Sequence, residues 1–382
     1  MVKESFLLSI TKSLRSFIFA TMAISSPYFL SQYKFNSFEI SAVLFLSILS
    51  SSLFIAMYGK IRISLRFRSF LLSALLILGF LILLIFPDPI FYVIGIIIGG
   101  ISLSGRDLSA YQPIEQYTIS HYETVQSKKN TVFAIYNFGS YAAASIGTLF
   151  LFLSGSSVSF TVIFLLDLFL SVIQFIVYIL VNFPSFQSKK ETSVIPEDMR
   201  GHVQTLTALF SMDSVGGGLI TTSMLTLWFK VVYNVDLSTA GFIFLIVNIL
   251  TAVSILISSK IQTRIGLIRT MVFTHLISNG FLLIMPIVHS LLWSEIFLYL
   301  RQTTSQMDVP ARDSFINTFI PKEARIAANS SFTSARSASQ IPGPLIGGIA
   351  LEVMPTTLIF AAGGVKAIYD LILFKKYSWF LT

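Results

Sequence analysis

Residues 69–87 read Ser69-Phe-Leu-Leu-Ser-Ala-Leu-Leu-Ile-Leu-Gly-Phe-Leu-Ile-Leu-Leu-Ile-Phe-Pro87 and carry no charge. A run of close to 20 apolar residues is what a helix needs to cross roughly 30 Å of hydrocarbon. A membrane β-strand would instead need about 10 residues in strict alternation, which is absent here, so the run predicts a helix. Arg62, Arg66 and Arg68 precede it, a cationic collar of the kind that stays on the cytoplasmic side of a membrane.

Similar runs recur outward in both directions, at about 5–31, 38–58, 90–113, 130–153, 158–182, 203–229, 238–258, 270–290, 292–317, 326–350 and 355–376. The composition agrees: 54% of the 382 residues are hydrophobic and 12% are charged, which excludes an ordinary water-soluble surface. Backbone groups in lipid must be satisfied within the chain, so the expected class is an all-α membrane protein with about twelve transmembrane helices. The net charge of +8 would suggest nucleic acid in a soluble protein. Here the basic residues fall between spans, at Lys60 to Arg68, Lys128, Lys129, Lys189, Lys190, Arg200, Lys260 to Arg269, Lys322, Arg325, Lys375 and Lys376, and all sit on one side of the threading. We read the charge as topology, with both termini cytoplasmic, the cell membrane as location, and no nucleic-acid partner. The first apolar segment follows Lys3, Lys12 and Arg15 without a convincing cleavage site, and is expected to remain as a helix.

The twelve spans fall into two sets. Gly59-Lys60-Ile61 returns as Ser259-Lys260-Ile261, Pro113 as Pro310, and Gly147 as Gly347, all in the same order. The long polar stretch, 183–201, with Pro184, Pro196 and no apolar periodicity, is the expected linker. This gives an N-terminal bundle at 1–182, a cytoplasmic linker at 183–201 and a C-terminal bundle at 202–382. Each half has an even number of helices, so they are parallel repeats.

Two local signatures resemble the major facilitator superfamily. Its loop after the second helix, roughly G-x-x-x-D-R-x-G-R-R, is similar to Gly59-Lys-Ile-Arg-Ile63-Ser64-Leu-Arg66-Phe-Arg68 and to Ser259-Lys-Ile-Gln-Thr263-Arg264-Ile-Gly266-Leu-Ile-Arg269. Ile63 stands where the family has its latching aspartate. Ser339-Gln-Ile-Pro-Gly343-Pro344-Leu-Ile-Gly347-Gly348 resembles the antiporter pattern G-x-x-x-G-P-x-x-G-G, which the family places on helix five. Here helix five has the weaker Gly139-Ser-Tyr-Ala-Ala143-Ala144-Ser-Ile-Gly147-Thr148. The outer arginine that proton-coupled drug exporters carry on helix four falls at Gly95. The resemblance implies two pseudo-symmetric six-helix bundles, with helices one, four, seven and ten lining a cavity that opens alternately to either side.

A charged side chain at bilayer depth costs about 2.5–3.5 kcal/mol on insertion scales, so intramembrane charges are candidate functional groups. On helix ten Arg301, Ser305, Asp308 and Arg312 share a face at helical spacing, and Asp308 and Arg312 are placed to pair. On helix eleven Arg336 is a partner for Asp308 or for an anionic substrate. On helix four Ser104, Asp107, Tyr111 and Glu115 form a stripe beside Arg106. Asp213, before Ser214-Val-Gly-Gly-Gly218, is the first candidate for a proton-carrying carboxylate. Tyr111, Asn137 and Tyr141 complete the substrate or proton set Asp213, Asp308, Arg301, Arg336 and Asp107, while Arg312, Asp313, Glu115, Arg106, Gly343 and Pro344 are assigned to gating or helix interfaces. Lys12 and Arg15 are expected to snorkel toward the inner interface, Glu115 to meet the basic loop, and Lys366 to pair with Asp370 four residues on. Asp167 has no visible partner.

Cysteine is absent and the four histidines lack metal-ligand spacing. No G-x-x-x-x-G-K-[ST] loop occurs, so no cofactor or metal is expected and ATP is not the direct drive. The expectation is a monomeric secondary transporter of a small organic solute in the bilayer, coupled to protons, with export preferred. Uptake of an organic anion is the first alternative, and a non-transporting receptor or sensor, or a lipid flippase, the second. No nucleophile, base and orienting group recur together, so an enzyme is not expected.

Overall fold

The computed structural model describes residues 1–60, 63–105, 107, 109–155, 158–185, 195–321 and 324–380. Arg106, Ile61, Arg62, Lys189, Lys190 and Lys322, all used above, lie outside the described residues.

The described residues form sixteen helices and no strand. They are α1 (Lys3–Gln32), α2 (Ser37–Lys60), α3 (Leu65–Ile85), α4 (Pro89–Gly99), α5 (Tyr111–Tyr122), α6 (Gln126–Ser154), α7 (Phe160–Leu180) and α8 (Glu197–Leu219), followed by α9 (Thr222–Tyr233), α10 (Leu237–Ile265), α11 (Leu267–Ile284), α12 (Leu291–Ser305), α13 (Asp308–Phe319), α14 (Arg325–Gln340), α15 (Gly343–Val353) and α16 (Pro355–Tyr377). Seven are long and apolar enough to cross a membrane, or eight if α8 and α9 count as one span. The opening run is α3, started by Ser64, whose hydroxyl accepts from the Phe67 amide. α4 starts in the same way, with Asp88 accepting from the Ile90 amide and Pro89 in the first turn.

Four expected spans are each two helices: 90–113 (α4, α5), 203–229 (α8, α9), 292–317 (α12, α13) and 326–350 (α14, α15). The first break has a local cause. Gly100 ends α4 with φ +58 and Gly105 follows with φ +77, conformations that side-chain-bearing residues rarely adopt. The freed backbone groups are satisfied by side chains. Ser47 of α2 donates to the Ile101 carbonyl and accepts from the Leu103 amide, both at 2.8 Å, while Ser51 donates to Gly100 and the Thr222 amide to Ser104. Irregular backbone at membrane depth survives only on such terms. Ser104 and Asp107 therefore sit on this irregular stretch, and the expected helical stripe through Tyr111 and Glu115 does not form. At the break between α12 and α13, Ser258 donates to the Met307 carbonyl at 2.6 Å.

By packing, the chain divides into two compact units, Met1–Ser188 with Thr222–Asn248, and Lys189–Thr221 with Ile249–Thr382. In the first unit α1 is the central helix, packed along α6 and α7, and α3 packs against α4 and α7. Backbone contact at Gly79, whose Cβ would fall 2.6 Å from the Gly95 carbonyl, holds α3 to α4. The core here gathers Leu8, Leu72, Tyr111, Ile119, Tyr136 and Tyr178. In the second unit α8 packs on α14, α15 and α16, and α11 on α12, α13 and α16, around Leu206, Phe210, Met271, Phe315, Phe332 and Tyr369.

Candidate functional site

In the first unit the charges expected on the first and fourth spans meet at Arg15. Its guanidinium is fully buried and donates to Asp107 Oδ2 from Nε (3.0 Å) and Nη2 (2.6 Å), and to Glu115 from Nη1 (3.2 Å) and Nη2 (2.8 Å). Glu115 also accepts from Thr11 (2.7 Å), Tyr136 (2.6 Å) and Tyr178 (2.5 Å), and Ser109 donates to Asp107 Oδ1 at 2.5 Å. Tyr111 stacks on Tyr178 at 5.7 Å between ring centres and presents its face to Arg15 at 4.5 Å. Lys12 donates to Asn137 at 2.9 Å and lies 3.9 Å above the Tyr136 ring. Two cations face two carboxylates, and every carboxylate oxygen has a donor.

Three expectations change here. Arg15 and Lys12 do not snorkel, because α1 is buried between α6 and α7 and acidic partners are at hand. Glu115 turns inward to Arg15 rather than to the basic loop. Asp107 and Tyr111 are buried within the same network, whereas Asn137 is exposed and Tyr141 half-buried.

The second unit holds a different arrangement. Asp213 of α8 accepts from Lys366 of α16 at 2.5 Å, and His275 Nε2 of α11 lies 3.6 Å from the same oxygen. On its other edge, His275 Nδ1 lies 2.8 Å from Asp370 Oδ1, and Asn279 donates to Asp370 Oδ2 at 2.8 Å. The expected pairing of Lys366 with Asp370 is thus corrected: each takes a partner on another helix. A Cβ on Gly216 would fall 2.8 Å from Lys366 Cγ, so the glycine run gives the lysine stem its path to Asp213. Asp213 is consequently paired, not a lone acid. His275 stands at no metal-ligand spacing, and its signal in the sequence is that of an ionisable residue inside an apolar span, the same signal the carboxylates carry.

Arg312 pairs with Asp308 at 3.1 Å as expected, although the break at 306–307 takes them off the helix that carries Arg301. Arg301 is buried and donates to Gln302, which in turn donates to Thr251 at 2.5 Å. Arg336 is half-buried and donates to Ser214 at 3.3 Å; it makes no ion pair with Asp308 within 4.0 Å among the described residues. Asp313 is exposed. Gly343 opens α15 with Pro344 beside it, and a Cβ there would overlap the backbone of Gly218 on α8. The motif therefore serves backbone-to-backbone packing, and α14 stops at Gln340 just before it. Among the described residues no group of three or more His, Asp or Glu is placed to hold a metal.

The fold is shared with the nucleoside transporter NupG (TM-score 0.73, 13% identity, 98% of this chain and 99% of that one covered). It is shared with the POT family transporter PepTSo (TM-score 0.79, 10% identity, 99% and 98% covered) and the human organic anion transporter MFSD10 (TM-score 0.70, 11% identity, 98% and 100% covered). No curated protein matches by sequence. The sequence matches the Major Facilitator Superfamily over residues 8–344, nearly the whole chain. The chain therefore belongs to the Major Facilitator Superfamily and is a multi-pass membrane transporter.

Proposed function

We propose that the protein is a monomeric secondary transporter that moves a small organic solute by alternating access and couples it to protons, with export of an amphipathic compound as the preferred direction. The moving parts in this reading are the two repeats, 1–182 and 202–382, joined by 183–201, with both termini cytoplasmic. One observation carries the coupling: His275 stands between two buried carboxylates, Asp213 and Asp370, of which only Asp213 has a lysine partner. Without a proton on the imidazole these four groups sum to one negative charge and with one proton to none, while Arg336 of α14 also lies within electrostatic reach of Asp213. Buried groups so tightly coupled exchange a proton as a unit, and the exchange would alter the packing of α8, α11 and α16 together.

The test is solute counterflow in proteoliposomes over a panel of nucleosides, peptides and organic anions, with and without a pH gradient. Accumulation driven by the gradient is expected in the wild type and lost in His275→Asn and Asp213→Asn, with counterflow at equal pH retained. If both variants accumulate solute as the wild type does, the proton role fails. Uptake of an organic anion is the second reading, supported by Arg336, whose side chain is half-buried and meets a hydroxyl rather than a carboxylate. Loss of anion counterflow alone in Arg336→Gln would favour it.

A further inference from the structure

Asp167 belongs to no network described so far. It lies on α7, is fully buried, and makes no ion pair among the described residues. Among the described residues its carboxyl is hydrogen-bonded by one side chain, Thr21 of α1, whose Oγ1 lies 3.0 Å from both Oδ1 and Oδ2. The same hydroxyl lies 2.8 Å from the Ile18 carbonyl and 3.2 Å from that of Phe17. A threonine hydroxyl has a single proton to give. When it goes to Ile18, the ordinary back-bond of a helical threonine, the threonine lone pairs face Asp167, and only a carboxyl bearing its own proton can complete the contact. When the proton goes to Asp167 instead, a fully buried anion is left with a single neutral donor.

Glu115 in the same unit shows what a buried carboxylate is given when it is charged: an arginine fork, two phenols and a threonine. An unpaired buried anion costs far more than a neutral polar group, so a site with one hydroxyl suits the acid form. Among the described residues, the ionisable group within electrostatic reach is the Tyr92 phenol of α4, and its hydroxyl is engaged by Ser26 of α1. Thr21 is itself held in place from the far side. A Cβ on Gly147 of α6 would fall 3.2 Å from the Thr21 methyl, so α6 packs against that methyl while the hydroxyl faces α7.

We propose that Asp167 is a separate proton-binding site of the first unit, loaded with a proton while α1, α6 and α7 pack as they do here. Parting α1 from α7 removes its one partner and opens a path for the proton to leave. The proposal is independent of the coupling assigned to His275, and its test does not read transport.

The experiment is infrared spectroscopy of the full chain in lipid at neutral pH, with carboxyl-labelled aspartate marking the acid bands. The wild type is expected to show a protonated aspartic acid carbonyl band that disappears in Asp167→Asn, a neutral replacement of the same shape. In Thr21→Val the band is expected to persist and move to higher frequency, as a carboxyl losing its hydrogen-bond partner does. This second variant leaves Asp167 in place, so the proposal stays testable if the asparagine variant folds poorly. Superposable acid bands in wild type and Asp167→Asn, with loss of an ionised carboxylate signal instead, would overturn it, as would a band unmoved by Thr21→Val.

Discussion

Replacing Arg15 by methionine keeps the length of an apolar stem on α1 and removes the cation from two buried carboxylates. Four donor contacts to Asp107 and Glu115 disappear, together with a fifth to the Tyr178 hydroxyl at 3.1 Å. Breaking a buried ion pair from one side costs about 3–5 kcal/mol because the remaining charge is stranded. Here two carboxylates remain with Lys12 as their cation, which places Arg15→Met at the upper end of that range. Glu115→Gln is milder: Arg15 keeps Asp107, and the amide still accepts from one of the hydroxyls, for a cost of about 1–3 kcal/mol. In the double variant Lys12 and Asp107 balance again, so its cost should fall below the sum of the single costs by about 0.5–3 kcal/mol. Unfolding can be followed in detergent by the fluorescence of Trp228, which is fully buried in the same unit. Additive costs, or an Arg15→Met variant as stable as the wild type, would refute the view that this guanidinium neutralises both acids.

Two further changes test the packing and the broken helices. Gly343→Ala should lower stability by about 1–3 kcal/mol, because its methyl meets the backbone of Gly218, which cannot turn aside as a side chain can. Gly217→Ala, with nothing within 4 Å of the added Cβ, should instead raise stability by up to about 1 kcal/mol through helix propensity alone, and thermal unfolding of the pair reads the contrast. Ser47→Ala strands the Ile101 carbonyl and the Leu103 amide at the break after α4, at about 1–3 kcal/mol for each group left unpaired. Faster amide hydrogen exchange at 101–105 should accompany that loss, and unchanged exchange would show that the serine does not hold the break.

The helices were legible because their signal is strong: an uncharged run of 69–87 has one physical interpretation in lipid. The breaks were not, since Gly100 and Gly105 weaken a helix only mildly on propensity, and it is Ser47, from another helix, that makes unwinding affordable. Pairings were legible only within one helix. Asp308 with Arg312 is a matter of spacing and came out as expected. Lys366 with Asp370 has the same spacing and did not, because Asp213 and His275 reach across from α8 and α11. Spacing along a helix says which groups can meet, and a competing partner on another helix decides whether they do. Arg15 illustrates the same limit. Its neighbours Asp107 and Glu115 lie about 100 residues away, so its burial depended on contacts that a single sequence does not display.

The two units hold their buried charge in different ways. α1 brings the cations Lys12 and Arg15 to Asp107 and to Glu115 of α5, while α8 brings the acid Asp213 to Lys366 of α16. In the first case one arginine serves two carboxylates, a lysine closes the count, and phenols and hydroxyls occupy the remaining acceptor sites. That cluster has no vacancy for a proton without losing a bond it already makes, so its chemistry is to hold α1 against the fourth span. In the second, two carboxylates meet one lysine and an imidazole whose nitrogens face one acid each. Arg336 of α14 also lies within electrostatic reach of Asp213, so the two acids there are shared among a lysine, an arginine and an imidazole rather than held by one fork. We therefore place the proposed proton coupling on α8, α11 and α16, where an imidazole bridges two acids, and scaffolding on Arg15, whose two acids already have every oxygen engaged by a donor.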